Sequence, residues 1–427
     1  MIIKTKFIFI LILGLTYART GFGPGEQEWG FVEVRDNAHI FYWLYLTTAA
    51  VNNVTEKPLV IWLQGGPGAS STGYGNFAEL GPLDVDLKER NFTWVKNYNV
   101  LFVDNPVGTG FSYVENDAYA TTNRQIAIDF VEFLKGFYKQ NPIFVDTPLY
   151  IFCESYGGKM TAEIALILDQ AIKAQEINIK FKGVGLGDSW ISPIDSVLSW
   201  APYLLQLGIV DQNGYDKIVE AALTTQNSLN EGKYSEATMY WTITEMRVSE
   251  VTSGVDFYNV LKKIENSSKR NKLFLPTAIL RDEDDAKVNK IMNGDVRKAL
   301  NISRAWGTQS SWVFSALRED FMKPVTDVVE KLLNETTINV AIYNGQLDLI
   351  VDTPGTVKWV DELRWNGSEN WKTVTRQPFV VNGIIEGFVK EADNLTFWWV
   401  NRAGHMVPSD NPAAMEYILE HLIQRTS

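Results

Sequence analysis

This 427-residue chain has one cysteine, three histidines and no long apolar run beyond its N-terminus, and each shortage narrows what it can be. Cys153 has no intrachain partner, so a disulfide framework and a cysteine-based metal centre are both excluded. After residue 18 no stretch is apolar enough to cross a bilayer, which predicts a soluble mature chain with no membrane span. Basic residues are in the minority, 39 Lys and Arg against 51 Asp and Glu, for a formal charge of -12. A nucleic-acid partner, which rewards basic stripes, is argued against. An acidic surplus suits an acidic compartment, where partial protonation relieves self-repulsion. No internal repeat, heptad array or low-complexity tract is present.

What is there reads as a secreted globular protein. Residues 1–18 have the form of a signal peptide: Lys4 and Lys6, an apolar stretch from Phe7 to Leu15, then Thr16-Tyr17-Ala18 at a cleavage site. Losing both lysines takes the formal charge from -12 to about -14. Seven N-glycosylation sequons begin at Asn53, Asn91, Asn266, Asn301, Asn334, Asn366 and Asn394, and some of them should carry glycan. Hydrophobic content of 45% and charged content of 21% are globular values. The length allows one elaborated domain or two.

Ser155 carries the first chemical signal. The apolar run Tyr150–Cys153, then Glu154-Ser155-Tyr156-Gly157-Gly158, then a helical pattern from Lys159 to Ala174, is the sequence form of a nucleophile elbow. Cys153 stands where the G-x-S-x-G pattern has its first glycine, and it should face the core rather than act as a thiol nucleophile. A serine nucleophile needs a base, most often histidine. His39 falls in an alternating hairpin pattern and His421 lies off the apolar stripe of the last helix, so they are predicted to be a sheet-surface residue and a solvated one. His405 follows the run Leu395–Val400 on a glycine turn, placed to point into a site. Asp348, past the strand-like run Val340–Asn344 and Gly345, is the predicted acid, with Asp352 as its rival. The chain order Ser155, Asp348, His405 is that of an α/β-hydrolase. Gly65-Gly66-Pro67-Gly68 follows the buried-strand signal Leu59–Leu63 and suits an oxyanion hole, with the N–H groups of Gly66 and Tyr156 as donors. No Gly-Lys-Ser/Thr follows that loop, which argues against a nucleotide P-loop.

All four pieces lie just past predicted strands, where open α/β sheets gather ligands. The coarse organisation is a hairpin over 30–46, core strands at 58–64, 99–104 and 181–187, and an amphipathic helix over 121–139 with Ile126, Phe130, Phe133, Leu134 and Phe137 on one side. Residues 195–300 turn helical and charged before strands resume at Asn339. The predicted architecture is therefore α/β: a mostly parallel twisted sheet flanked by helices, built from 19–194 and 301–427, with a helical cap insertion over 195–300.

Four blocks resemble those of the serine carboxypeptidases: Trp62–Ser71, Asp104–Tyr113, Glu154–Gly158 and Gly404–Pro408. The resemblance runs from about Pro58 to the C-terminus, weakens in the insertion, and is strongest to the retinoid-inducible branch, which shares Gln64, Gly187–Trp190 and Asn344–Asp348. It implies the α/β-hydrolase fold, catalysis without metal or other cofactor, and removal of C-terminal residues from peptides or proteins with a free C-terminus. It also implies that Glu154, Gln64 and the Gly65 N–H bind the terminal carboxylate. A glutamic acid meets a carboxylate only through a shared proton, so the site should favour mildly acidic pH, as on a lysosomal or secretory route. Two departures stand out: Gln64 replaces the family's Asn, and Ala69 with the lack of other cysteines removes the usual disulfides. An acyltransferase or esterase on the same triad, or a secreted binding protein with an idle triad, are the alternative readings. The sequence leaves the oligomeric state open.

Overall fold

The computed structural model describes residues 20–262 and 282–425. The predicted signal peptide and the sequon at Asn266 lie outside the described residues. The chain builds one eleven-stranded sheet. Its strands are β1 (Gln27–Arg35), β2 (Ala38–Tyr45), β3 (Leu59–Leu63), β4 (Asn99–Val103), β5 (Tyr113–Val114), β6 (Pro148–Glu154), β7 (Lys180–Gly187), β8 (Asn339–Gly345), β9 (Gln377–Val381), β10 (Ile384–Ala392) and β11 (Leu395–Val400). The order across the sheet is β1-β2-β4-β3-β6-β7-β8-β11-β10-β9, with β5 beside β2. The stretch from β4 to β11 is parallel, and the hairpins β1–β2 and β9–β10 add antiparallel edges. This is the α/β-hydrolase architecture predicted from the sequence.

The central strands read as unbroken apolar runs because both of their faces are covered. Successive side chains alternate between two cores. Leu59, Ile61 and Leu63 of β3 join Leu149, Ile151 and Cys153 of β6 in one core. That core is packed by α1 (Asn123–Gln140) and α2 (Tyr156–Lys173). Val60, Trp62, Tyr150 and Phe152 join the other, under the C-terminal helix Pro412–Arg425 and residues 288–306. The apolar stripe of α1 is fully buried as its periodicity predicts, and the Thr122 hydroxyl caps it by accepting from Gln125 N–H.

Two local expectations are corrected. Helix α2 starts at Tyr156, not Lys159. Ser155 takes φ 64° and ψ -128°, a conformation that switches the chain from strand to helix without a linker. Gly157 and Gly158 are therefore inside the first helical turn, where they permit close packing: an added methyl would lie 2.5 Å from the Leu63 carbonyl oxygen at Gly157 and 1.9 Å from Ser189 Oγ at Gly158. His421 is not simply solvated. It pairs with Glu391 at 3.0 Å and sits edge-on to Trp398, an attraction that holds the Glu391 carboxyl below its usual range. His39 does lie on the sheet surface, opposite Glu33 and stacked on Tyr113 at 4.4 Å.

Between β7 and β8 the described chain is helical, including α3 (Pro193–Gln206), α4 (Gln212–Asn230) and α5 (Tyr234–Thr252). Trp200, Ile218 and Trp241 of these helices belong to the same core as α1 and α2. Residues 288–306 pack on the other face, ending in Trp306, whose indole N–H donates to Ser70 Oγ at 2.9 Å.

Candidate active site

Strand β6 delivers Glu154 and Ser155 to the C-terminal edge of the sheet. Ser155 N–H donates to the Gly187 carbonyl of β7, and its own carbonyl accepts from Gly158 and Trp190 N–H. The strained elbow is thus held on three sides. The glycine loop after β3 lies against it. A methyl at Gly65 would come within 2.5 Å of Ser155 Cβ and 2.9 Å of the Tyr156 nitrogen, so only glycine allows that approach. Asp104, buried at the end of β4, accepts from Ser70 Oγ (2.6 Å), Thr72 N–H (3.0 Å), Thr72 Oγ1 (2.8 Å) and Phe111 N–H (2.9 Å). This ties the glycine loop to the 104–112 loop. Residues 307–310 brace the loop from outside through Ser70 N–H to the Thr308 carbonyl and Ser310 N–H to the Gly68 carbonyl.

His405 and Asp348 meet: Nδ1 lies 2.7 Å from Asp348 Oδ2, with both side chains fully buried. The rival Asp352 does not reach the imidazole. It precedes the helix Thr353–Asp361, and its carboxylate accepts from Ser199 Oγ at 2.7 Å. Gly345 lets the two loops touch, since a methyl there would lie 2.0 Å from the Gly404 carbonyl. A strap with no sequence signal of its own, residues 257–260, fastens both loops. The Phe257 carbonyl accepts from Leu349 and Ile350 N–H, and the Tyr258 carbonyl accepts from His405 N–H at 2.7 Å. The Tyr258 ring then stands edge-on to the imidazole at 5.1 Å.

Gln64 and Glu154 form a buried pair beside this machinery. Trp62 Nε1 donates to Gln64 Oε1 at 2.8 Å, which fixes the amide, and Gln64 Nε2 donates to Glu154 Oε1 at 2.9 Å. Glu154 Oε1 lies 3.9 Å from His405 Nε2, the imidazole nitrogen not used by Asp348. Gln64, Gly65, Gly66, Glu154, Ser155 and Tyr156 line one side of a single pocket. The rest of its lining is mostly aromatic and apolar, Trp190, Trp241, Tyr258, Phe314, Phe321 and Ile350, with Gln309 among them. Phe321 is the centre of this aromatic group, stacked on Tyr156 at 5.9 Å and in contact with Trp241 at 4.8 Å.

Lys159 holds that aromatic wall in place. Fully buried one helical turn below Tyr156, its ammonium pairs with Asp320 at 3.0 Å and donates to the carbonyls of Asp320, Phe321 and Lys323. Burial brings its pKa down to about 8. Lys159→Met should strand the Asp320 charge and three carbonyls, costing about 3–5 kcal/mol. Urea unfolding checks this; a loss below ~1 kcal/mol would mean the pair is not a fastening.

Among the described residues, Asp188, Asp348 and His405 are the set of acidic and histidine side chains close enough together to share a cation. His405 Nδ1 is already engaged by Asp348, however, and Asp188 Oδ1 by Gly345 N–H. The cluster is closed on itself and suits proton handling better than metal binding. In the sequence Asp188 stands out only as part of the Gly187–Trp190 block. The signal available was its place one residue past a parallel strand.

Burial raises the carboxyl groups of Asp104, Asp188 and Asp352 above their unfolded value. A carboxyl that binds its proton more tightly when folded adds stability at low pH. That stability is lost as pH climbs from the unfolded pKa toward the folded one. The thermal midpoint should therefore be higher at pH 5 than at pH 8; a midpoint that rises toward pH 8 would contradict this.

The serine carboxypeptidase family model matches residues 20–425. Retinoid-inducible serine carboxypeptidase of Rattus norvegicus is 47% identical over 405 residues, covering 90% of this chain and 89% of that protein. The protein of the same name in Homo sapiens is 46% identical, covering 94% and 92%. Serine carboxypeptidase-like 51 of Arabidopsis thaliana is 39% identical, covering 96% of each. Among solved structures, Kex1Δp, a prohormone-processing carboxypeptidase from Saccharomyces cerevisiae, superposes with a TM-score of 0.81 at 23% identity. That match covers 94% of this chain and 92% of Kex1Δp, and it shows the shared fold.

Proposed function

The chain belongs to the serine carboxypeptidase family and is a serine-type carboxypeptidase, and from that premise we propose how its own residues divide the work. Ser155 attacks the last peptide bond of a substrate with a free C-terminus. His405 takes the hydroxyl proton and later returns it to the departing amino acid, while Asp348 fixes the imidazole. The N–H groups of Gly66 and Tyr156 hold the oxyanion of the tetrahedral intermediate, and the acyl-enzyme is then hydrolysed. Gln64, the Gly65 N–H and Glu154 read the terminal carboxylate.

The observation that carries this reading is the buried Gln64–Glu154 pair, with Glu154 Oε1 placed 3.9 Å from His405 Nε2. An ordinary hydrolase has no use for an acid beside the imidazole edge that serves the nucleophile. An exopeptidase does, because a substrate carboxylate must be received there. Binding then requires one proton between two carboxyl groups and weakens as pH rises. Glu154→Gln keeps a donor at every pH. Its peptide cleavage should persist to higher pH than the wild type's, while the pH profile for an ester lacking a terminal carboxylate stays put. Equal shifts for both substrates would remove the clamp.

Residues 195–300 form the cap insertion, of which Trp241 and Tyr258 reach the pocket, and 19–194 with 301–427 form the core. No described helix is long and apolar enough to cross a membrane. A secretory or lysosomal route is supported by the N-terminal segment, the sequons and the raised buried acids. Asn53, Asn91, Asn301 and Asn366 are exposed and are the favoured glycan acceptors. Asn394 is a poorer one, because its amide nitrogen already donates to the Leu333 and Ile338 carbonyls.

A further inference from the structure

Asp188 has no part in the reaction just described, yet it is the third member of the buried cluster it forms with Asp348 and His405. It follows β7 directly, with φ 41°, a conformation that a non-glycine residue adopts only when its surroundings demand it. Its backbone N–H donates to the Tyr343 carbonyl of β8, and its Oδ1 accepts from Gly345 N–H at 2.8 Å. Asp188, Asp348 and His405 each bring a side-chain atom within 4.8 Å of the other two. Asp188 is 0% exposed and so is Asp348.

Two fully buried carboxyl groups whose oxygens come within 4.8 Å of each other resist being ionised together, so one of them keeps a proton. The donors decide which group is the anion. Asp348 receives His405 Nδ1–H on Oδ2 and Val351 N–H on Oδ1. Asp188 receives only Gly345 N–H, and its Oδ2 has no N–H or O–H donor in reach. The surrounding charges agree. Asp410, Asp352 and Glu154 are acidic, Tyr343 and Tyr203 are neutral phenols, and His405 faces Asp348. Burial with Asp348 alongside keeps the Asp188 carboxyl well above the usual carboxylate range.

We propose that Asp188 is a positioning residue of the triad: it keeps its proton at working pH and donates it to the Asp348 carboxylate, so that Asp348 holds His405 in place. The positioning chain is thus four residues long, Asp188–Asp348–His405–Ser155. Only Ser155 and His405 exchange a proton with substrate; Asp348 stays ionised, and Asp188 neither gives up nor accepts a proton during turnover. This rests on the triad reading above.

The test compares Asp188→Asn with Asp188→Ala in the full chain. Asparagine keeps the acceptor for Gly345 N–H and, through its amide, the donor for Asp348. The proposal predicts peptide-cleavage kcat within about threefold of wild type for Asp188→Asn. Asp188→Ala should lose about 10–100-fold in kcat, the range that loss of an orienting partner costs at metal-bound histidines, with KM little changed. A wild-type-minus-Asp188→Asn infrared spectrum should show the band of a protonated carboxyl group. The inference is overturned if Asp188→Asn loses as much as Asp188→Ala, if Asp188→Ala keeps wild-type kcat, or if the difference spectrum lacks that band. The spectrum needs only the near-isosteric variant and stands even if Asp188→Ala fails to fold. Failure of the triad reading would look different: Asp348→Asn would then leave kcat intact.

Discussion

Ser155→Ala should lower kcat for release of a C-terminal amino acid on the order of 10⁶-fold, the loss seen when the nucleophile of a serine triad is removed. The reason is structural as well as chemical. The elbow conformation, with φ 64°, is held by backbone hydrogen bonds to Gly187, Gly158 and Trp190, none of which uses the side chain. Removing the hydroxyl leaves the turn, the glycine loop and the pocket as they are. The fold should therefore melt normally, peptide binding should survive, and covalent labelling by an organophosphonate should vanish. Labelling at the wild-type rate would show that the nucleophile lies elsewhere.

Asp348→Asn should cost about 10⁴-fold in kcat with KM little changed, because an amide cannot both accept from the imidazole and stabilise its charged form. His405 Nδ1 and Asp348 Oδ2 are 2.7 Å apart in a site with no exposed surface, so water cannot substitute for the lost acceptor. Asp352→Asn is the control. Its carboxylate serves Ser199 at the start of a helix, and its loss should show mainly in stability. Steady-state kinetics of both variants decide the matter; equal losses in kcat would restore Asp352 as a candidate for the acid.

Much of this site could be read from the chain before any coordinates. Parallel strands buried on both faces leave apolar runs such as Leu59–Leu63 and Leu149–Cys153, and the loops that follow them collect at one edge. Ser155, Asp348, His405 and the glycine loop each announce themselves by that local grammar. What stayed hidden is what depends on distant pairs. The Lys159–Asp320 fastening joins residues 161 positions apart. The 257–260 strap has no periodicity of its own, and its hydrogen bonds are meaningful only once the Asp348 and His405 loops are side by side. The aromatic wall around Phe321 is drawn from β7's exit, α5 and the 314–321 segment, so no window of sequence contains it. His421 looked solvated because its partner Glu391 lies on a strand, not on its own helix.

The most direct test is a pair of peptides of one sequence, one ending in a free carboxylate and the other in an amide, incubated with the enzyme at mildly acidic pH and followed by mass spectrometry. A site built from a nucleophile at Ser155 and a carboxylate receptor at Gln64 and Glu154 should remove one residue at a time from the free acid and spare the amide by a factor of at least about 10², the cost of leaving buried polar groups unpaired. Equal trimming of both peptides, or cleavage within the chain, would contradict the account.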